Sequence, residues 1–310
     1  MKGKKKRADV QGFERHLMYH VLTLHHELAT GTYQHGSYHH FKISDPKPRD
    51  IHKASVRDRL VHHAIYRVFY PHFDKHFIAD SYSCREEKGT HKAMSRFRAF
   101  AYKVSHNNTR TCWVLKCDIR KFFASIDHPV LLAILARHLR DERTLALVTG
   151  IIQSFSSGTL GKGLPLGNLT SQLLVNIYMN EFDQFIKHTF KVKHYIRYAD
   201  DFVLLSPDKN YLIHTVPYME LFLREELKLE LHPKKLFLKT LASGIDFLGW
   251  VNFTDHRVLR TATKKRMFRA LRGELKPEAL TSYRGLLGHG NAFHLQKLVM
   301  WIAGGLREGG

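Results

Sequence analysis

Asp200 and Asp201 are neighbours in the segment HYIRYADDFVLLS, residues 194–206, where a tight acidic turn separates two short runs rich in β-formers. Like charges this close repel unless a cation neutralises them. The plain reading of an Asp pair is conformational, because Asp favours turns. A third carboxylate shifts that balance. Asp118 lies at the end of CWVLKCDI, residues 112–119, which reads as a buried strand. If the two segments lie side by side in one sheet, three carboxylates converge from two strands. That is a ligand set for two Mg2+ ions, which prefer oxygen ligands and substrate phosphates. Two metals about 3.5–4 Å apart can activate a hydroxyl and stabilise leaving pyrophosphate. Mn2+ is an expected substitute.

The elements that would hold these groups read as follows. Phe13, Leu17, Val21, Leu24 and Leu28 recur at helical spacing. Residues 56–70 predict a helix with Leu60, Val61, Ala64, Ile65, Val68 and Phe69 on one face, ended by Pro71. Residues 129–152 are helical in pattern, and Asp127 reads as a helix N-cap. Gly158, Gly161, Gly163, Pro165 and Gly167 make a flexible loop before a helix from Ser171 to about Lys187. Residues 216–230 read as helix, and 236–240 with 245–253 as a strand pair. From Asp255 onward there are 11 Lys/Arg against 4 Asp/Glu. There Met267, Leu271 and Leu275 share one helical face, and Lys265, Arg269, Arg272 and Lys276 another.

The 310 residues carry 49 Lys and Arg against 28 Asp and Glu, a formal charge of +21. Such an excess on a folded chain points to a polyanionic partner, usually nucleic acid. A hydrophobic content of 44% can fill a core and excludes a mostly disordered chain. No run of about 18 apolar residues predicts a membrane span. The basic start MKGKKKRADV lacks the apolar region of a signal peptide. Cys84, Cys112 and Cys117 form no disulfide framework, so a reducing cytoplasm is the expected compartment. The basic cluster from Lys2 to Arg7 reads as a tail or as an RNA contact. Gly161-Lys162-Gly163 and Lys88-Gly89-Thr90 lack P-loop spacing, and His39-His40 lacks companion metal ligands.

Six ordered segments resemble the reverse transcriptases. KCDIRKFFASIDH is similar to the first catalytic motif of their palm, GLPLGNLTSQLLVNIYMNEFD to the template-and-substrate motif, and RYADDFVLLS to the metal-binding hairpin. LELHPKKLFL and IDFLGW are similar to the next two palm motifs. VRDRLVHHAIYRVFYPHFDKHFIADSYSCREEKGTHKA is similar to the fingers of bacterial members. The resemblance implies an α+β right-hand polymerase with fingers, an antiparallel palm sheet and a helical thumb. The implied division is an N-terminal segment and helix at 1–40, fingers at 41–111, palm at 112–254 with fingers residues interleaved near 150–175, and thumb at 255–310.

The same resemblance implies roles. Asp118 and Asp200 would bind both metals with the backbone carbonyl of Ile119, and Asp201 would assist. Phe123 would exclude a ribose 2′-hydroxyl, while Phe122 belongs to the core. Arg49 and Lys53 would meet the incoming triphosphate. Leu166, Gly167 and Gln172 would lie at the nascent pair. Lys235, beside Lys234, matches a lysine that protonates pyrophosphate. Phe247, Leu248 and Gly249 resemble a primer grip. Lys265, Arg269, Arg272 and Lys276 would hold nucleic acid from the thumb. Arg57, Asp58 and Arg59 read as structural at a helix start.

Most members have Gln where Leu166 stands and Pro where Gln172 stands. The substituted pattern, with DSYSCREEKGTHKA and SYRGLLGHGN, is similar to the reverse transcriptases of diversity-generating retroelements. Glu86 and Glu87 depart from the usual basic fingers residues. Membership would imply copying a template RNA into cDNA from a DNA or RNA primer and deoxynucleoside triphosphates, with errors concentrated at template adenines. It would also imply a small basic accessory protein. No RNase H or integrase segment is expected. The alternatives are an enzyme of a defence system, a retron or a group II intron lineage, or an RNA-binding protein that has lost catalysis.

Overall fold

The structure is a computed structural model, and it describes residues 7–44, 48–272 and 277–305. Its centre is a four-stranded antiparallel sheet in the order β4-β5-β3-β6. The strands are β3 (Trp113–Asp118), β4 (Tyr195–Tyr198), β5 (Asp201–Ser206) and β6 (Phe237–Thr240). Alternation along β3 sends Leu115 and Cys117 to one face and Val114 and Lys116 to the other. On the first face, Leu115, Cys117, Tyr195, Phe202 and Leu204 pack against helices in the largest apolar cluster. Those helices are α3 (Val56–Asp74), α6 (His128–His138), α8 (Leu169–Gln184) and α9 (Lys209–Glu225). On the other face, Val114, Val203 and Leu205 meet Phe97, Phe100 and Ala101 of α4 (Thr90–Val104).

Before this core stand α1 (Ala8–Arg15), α2 (Leu17–Thr30) and a hairpin of β1 (His39–Ile43) and β2 (Arg49–Lys53). The short α5 (Phe122–Ser125) follows β3, and α7 (Glu142–Gln153) follows α6. After the sheet, β7 (Ile245–Phe247), β8 (Trp250–Asn252) and β9 (Arg257–Leu259) form a second antiparallel sheet. Trp250, Leu259, Met267, Leu271, Leu287 and Val299 seat α10 (Thr261–Arg272), α11 (Pro277–Leu287) and α12 (Phe293–Gly305) against it.

Several expectations need correction. Pro71 does not end α3, which runs on to Asp74. Tyr70 and Phe73, on either side of Pro71, are buried, and their packing outweighs the lost hydrogen bond. The helical pattern over 129–152 is carried by two helices, since Asp141 caps α7 by accepting from the Thr144 amide. Asp127 caps α6 as expected, accepting from the Val130 amide at 3.2 Å. Helix α9 starts before the expected 216, at the cap Asp208, and accommodates Pro217. Strand β6 pairs with β3, and the 245–253 segment forms its own hairpin instead. The N-terminal stretch breaks at His16, and Leu17 and Val21 are exposed. Met267 and Leu271 are buried as expected, while Leu275 lies outside the described residues.

One buried ion pair fixes the sheet against α8. Arg197 of β4 and Asp183 of α8 are both fully buried, with Arg197 Nη2 2.7 Å and Nε 2.8 Å from the carboxylate. Tyr195 donates to Asp183 at 2.7 Å, and Arg197 donates to Asn176 and Ser81. Removing one member of such a pair strands a buried charge. Asp183→Asn is therefore expected to cost about 3–5 kcal/mol in urea denaturation. A loss below about 1 kcal/mol would mean the pair is not what holds β4 to α8.

Candidate active site

The three carboxylates meet at one end of the central sheet. In the register of β3 with β5, Asp118 lies directly opposite Asp201. Strands β4 and β5 are joined by the two-residue turn Ala199-Asp200, with Tyr198 opposite Asp201. The Ile119 amide donates to the Asp200 carbonyl at 3.1 Å and locks the turn to the end of β3. Ala199 has φ +55°, a left-handed conformation that L-residues adopt at a cost. Arg197 Nη1 donates to the Ala199 carbonyl at 3.2 Å, so the buried pair beneath the turn helps to hold this conformation.

Two lysines partly neutralise the cluster. Lys235 Nζ lies 2.8 Å from Asp118 Oδ1, which selects Lys235 over its neighbour Lys234. Lys116 Nζ lies 3.1 Å from Asp201 Oδ2 and near the rings of Phe237 and Phe247. Sequence reasoning missed Lys116. Its signal was a lone cation in an otherwise apolar strand run. Burial, and after it the Asp118 charge, raises the Asp200 carboxyl above its ordinary value, while Lys235 and Arg49 pull it down. Burial pushes the Asp201 carboxyl up to about 7 against the pull of Lys116. Asp201 Oδ1 is buried with no hydrogen-bond partner. No three described His, Cys, Asp or Glu side chains form a ready-made cage around one ion. An orphaned carboxylate oxygen and crowded acids are nonetheless the donor chemistry a divalent cation satisfies.

A cavity of about 1090 Å³ is linked to the acids through Arg49, whose charge acts on Asp200, although none of the three carboxylates lines it. Arg49 of β2, Arg260, and Lys265 and Arg269 of α10 line it together with Leu248 and Gly249. Leu248 and Gly249 form the β7–β8 turn at φ +51° and +87°, while Phe247 is buried beneath. Thr90 also lines the cavity and donates to the Tyr198 hydroxyl at 3.1 Å. The structure thus brings Arg49, Lys265, Arg269 and the 248–249 turn together. Lys53 is not among them, because it pairs with Asp9 of α1. Arg272 ends α10, its side chain lies outside what the structure describes, and Lys276 lies outside the described residues.

The 163–168 loop ties the β1–β2 hairpin to α5. The Phe123 carbonyl accepts from the Leu164 amide at 2.8 Å, and the Leu166 carbonyl from the His52 amide at 3.0 Å. Buried Asn168 donates to the His52 carbonyl at 2.7 Å and accepts from the Ala54 amide at 3.1 Å. Gly167 has φ +103°, and a Cβ there would lie 2.8 Å from Ile51 Cγ2, so only glycine fits. Phe122 is buried, Phe123 is half-buried against it, and Gln172 is half-buried in the first turn of α8.

Asp201 gives the site a pH signature. Its folded value lies above the ordinary 3.8, so the folded chain binds the extra proton between about pH 4 and 7. Stability from that proton is complete at low pH and lost as pH rises through 7. In metal-free urea denaturation, wild type is expected to lose on the order of 2 kcal/mol relative to Asp201→Asn between pH 4.5 and 8. A pH-independent difference would contradict the placement of this carboxyl.

Comparison with known proteins places the chain in a family and a fold. The sequence profile of the reverse transcriptase (RNA-dependent DNA polymerase) family matches residues 43–251. Protein YkfC of Escherichia coli (strain K12) is 26% identical over 280 residues, 78% of this chain and 71% of that protein. Group II intron-encoded protein LtrA of Lactococcus lactis subsp. cremoris is 22% identical over 292 residues, 73% of this chain and 47% of that protein. Telomerase from Candida albicans, solved with a fragment of telomeric RNA, superposes with a TM-score of 0.57 at 13% identity, covering 87% of this chain and 55% of that one. Apo telomerase from Candida tropicalis gives 0.55 at 11% identity, over 79% and 60%. The chain thus spans about half the length of the Lactococcus and Candida proteins. With the family profile matching residues 43–251 and the α+β right-hand polymerase fold shared with solved structures, the chain belongs to the reverse transcriptase (RNA-dependent DNA polymerase) family of enzymes.

Proposed function

We propose that the chain copies a template RNA into cDNA, and that it does so as the polymerase of a diversity-generating retroelement. The observation that carries the polymerase reading is the convergence of Asp118, Asp200 and Asp201 beside a cleft lined by Arg49, Arg260, Lys265 and Arg269. Asp118, Asp200 and the Ile119 carbonyl would hold Mg2+, with Asp201 assisting. The ions, when bound, supply Lewis-acid activation of a primer hydroxyl and stabilisation of pyrophosphate.

The chain's own residues supply the rest. Lys235, hydrogen-bonded to Asp118, would give a proton to the leaving group. Arg49 can grip the triphosphate bidentately. Phe123 would exclude a ribose 2′-hydroxyl by its ring. The left-handed turn Leu248-Gly249 offers backbone groups to the primer end, and Lys265 and Arg269 meet duplex phosphates. Lys53, held by Asp9, takes no part in this reading. Template RNA, a DNA or RNA primer, deoxynucleoside triphosphates and a small basic accessory protein are the proposed partners, and the cytoplasm the proposed compartment. Among the described residues no helix is long and apolar enough to cross a membrane.

Leu166 and Gln172 support the diversity-generating reading. Gln can hydrogen-bond near a nascent base pair, whereas Leu cannot. The likeness to the intron-encoded Lactococcus protein favours a second reading, an enzyme of group II intron lineage. Primer extension on a defined RNA with Mg2+, followed by cDNA sequencing, separates them. Errors clustered opposite template adenines, reduced in Leu166→Gln, are expected. Accurate cDNA from wild type would favour the intron lineage. Asp200→Ala with Asp201→Ala is expected to abolish synthesis and keep RNA binding, and Phe123→Ala to admit ribonucleotides. Unchanged sugar discrimination in Phe123→Ala would remove Phe123 from the gate role.

A further inference from the structure

A second basic cavity, of about 240 Å³, lies at the opposite end of the β7–β9 sheet from the cleft. The β7–β8 turn, Leu248-Gly249, faces the cleft, whereas the β8–β9 turn closes this cavity together with α4. Phe97 and Arg98 come from α4, Asn252 and Arg257 from the sheet, and Asn291 from the loop between α11 and α12. That loop is pinned in place. The Asn291 amide donates to the Arg257 carbonyl at 2.9 Å, and Asn291 Oδ1 accepts from the Arg257 amide at 3.3 Å.

The cations here are unbalanced. Arg257 lies with its guanidinium carbon 5.7 Å from the Trp250 ring centre, and its Nη1 is buried without a hydrogen-bond partner. Arg98 makes no hydrogen bond or ion pair among the described residues, and its charge opposes that of Arg257. Burial first, and then Arg98, lowers the Arg257 pKa. Asp255 also lines the cavity, but its carboxylate is taken by His256 Nδ1 at 2.7 Å and Thr254 Oγ1 at 3.4 Å. His289 completes the wall and stacks on His91, with ring centres 3.5 Å apart. A buried guanidinium N–H without an acceptor calls for one, and two facing arginines call for an anion.

We propose that this cavity is a phosphate-binding site in which Arg98 and Arg257 grip one phosphate group. Planar guanidinium groups match phosphate oxygens in pairs, and the bond is charge-assisted on both sides. The source we assign is a backbone phosphodiester of the strand that occupies the cleft, because one small sheet borders both sites. That assignment of source, but not the phosphate site itself, rests on the polymerase reading.

The test compares wild type with Arg98→Gln and Arg257→Lys. Arg98 is exposed on α4, so its replacement leaves the core untouched. Lysine at 257 keeps a cation over Trp250 but loses the fork. Thermal unfolding is followed in sodium phosphate and in sodium chloride at equal ionic strength and pH. Phosphate is expected to raise the wild-type Tm above its value in chloride, and both variants to lose most of that difference. Variants that keep the full phosphate response overturn the proposal. In parallel, affinity for a single-stranded RNA oligonucleotide is measured by fluorescence anisotropy across salt concentrations. A backbone contact predicts that Arg98→Gln lowers the slope of log K against log salt by about 0.7. A wild-type slope, with the phosphate response lost, keeps the site and assigns it to a free phosphate-bearing ligand. A wild type that responds to phosphate but binds no RNA keeps the site and sinks the polymerase reading.

Discussion

Three carboxylates crowded at the ends of two paired strands set the terms for the rest of the molecule. Asp118 and Asp201 face one another across β3 and β5, and Asp200 sits in the turn beside them. Half-buried like charges at this spacing push the strands apart. The fold opposes that force in three ways. Lys235 and Lys116 each take one carboxylate. Backbone bonds from Ile119 to Asp200 and from His232 to the Asp118 carbonyl tie the strand end on both sides. Beneath the turn, Arg197 holds the Ala199 carbonyl while its own charge is met by Asp183. What remains unbalanced is the buried Asp201 oxygen, which is a demand for a cation rather than a flaw in packing.

The cleft beside the acids is assembled from pieces far apart in the chain. Arg49 arrives on the β1–β2 hairpin, which the 163–168 loop holds through Leu166 and Asn168. Lys265 and Arg269 arrive on α10, whose opposite face is buried through Met267 and Leu271. Each basic group is therefore carried by an element whose other side is anchored. This is how a chain with a formal charge of +21 concentrates cations at one place without repelling itself apart.

The convergence of the three acids was legible because they combine an adjacent Asp pair with strand context. The sheet strands were legible because buried runs such as VLKCD and FVLLS are long enough to read. The β1–β2 hairpin was not, since HHFKI and RDIHK are largely exposed and carry no alternating apolar pattern. Lys116 and Arg197 were passed over because a single cation inside a strand reads as noise until its partner is known. Asp201 lies far along the sequence from Lys116, and Asp183 lies 14 residues before Arg197 on the other side of a loop, so only the fold pairs them. Lys53 failed for the reverse reason. Arg49 and Lys53 stand at the two ends of β2 and four residues apart, so alternation gives them one face, but Asp9 of α1 claims Lys53 while Arg49 lines the cleft.

The central claim is that these acids together hold divalent metal. Titration of the metal-free protein with Mn2+, followed by electron paramagnetic resonance, reads this without any need for template or partner. Wild type should bind Mn2+, and Asp118→Asn and Asp200→Asn should each weaken that binding at least tenfold while remaining folded. Equal Mn2+ affinity in wild type and both folded variants would contradict the account.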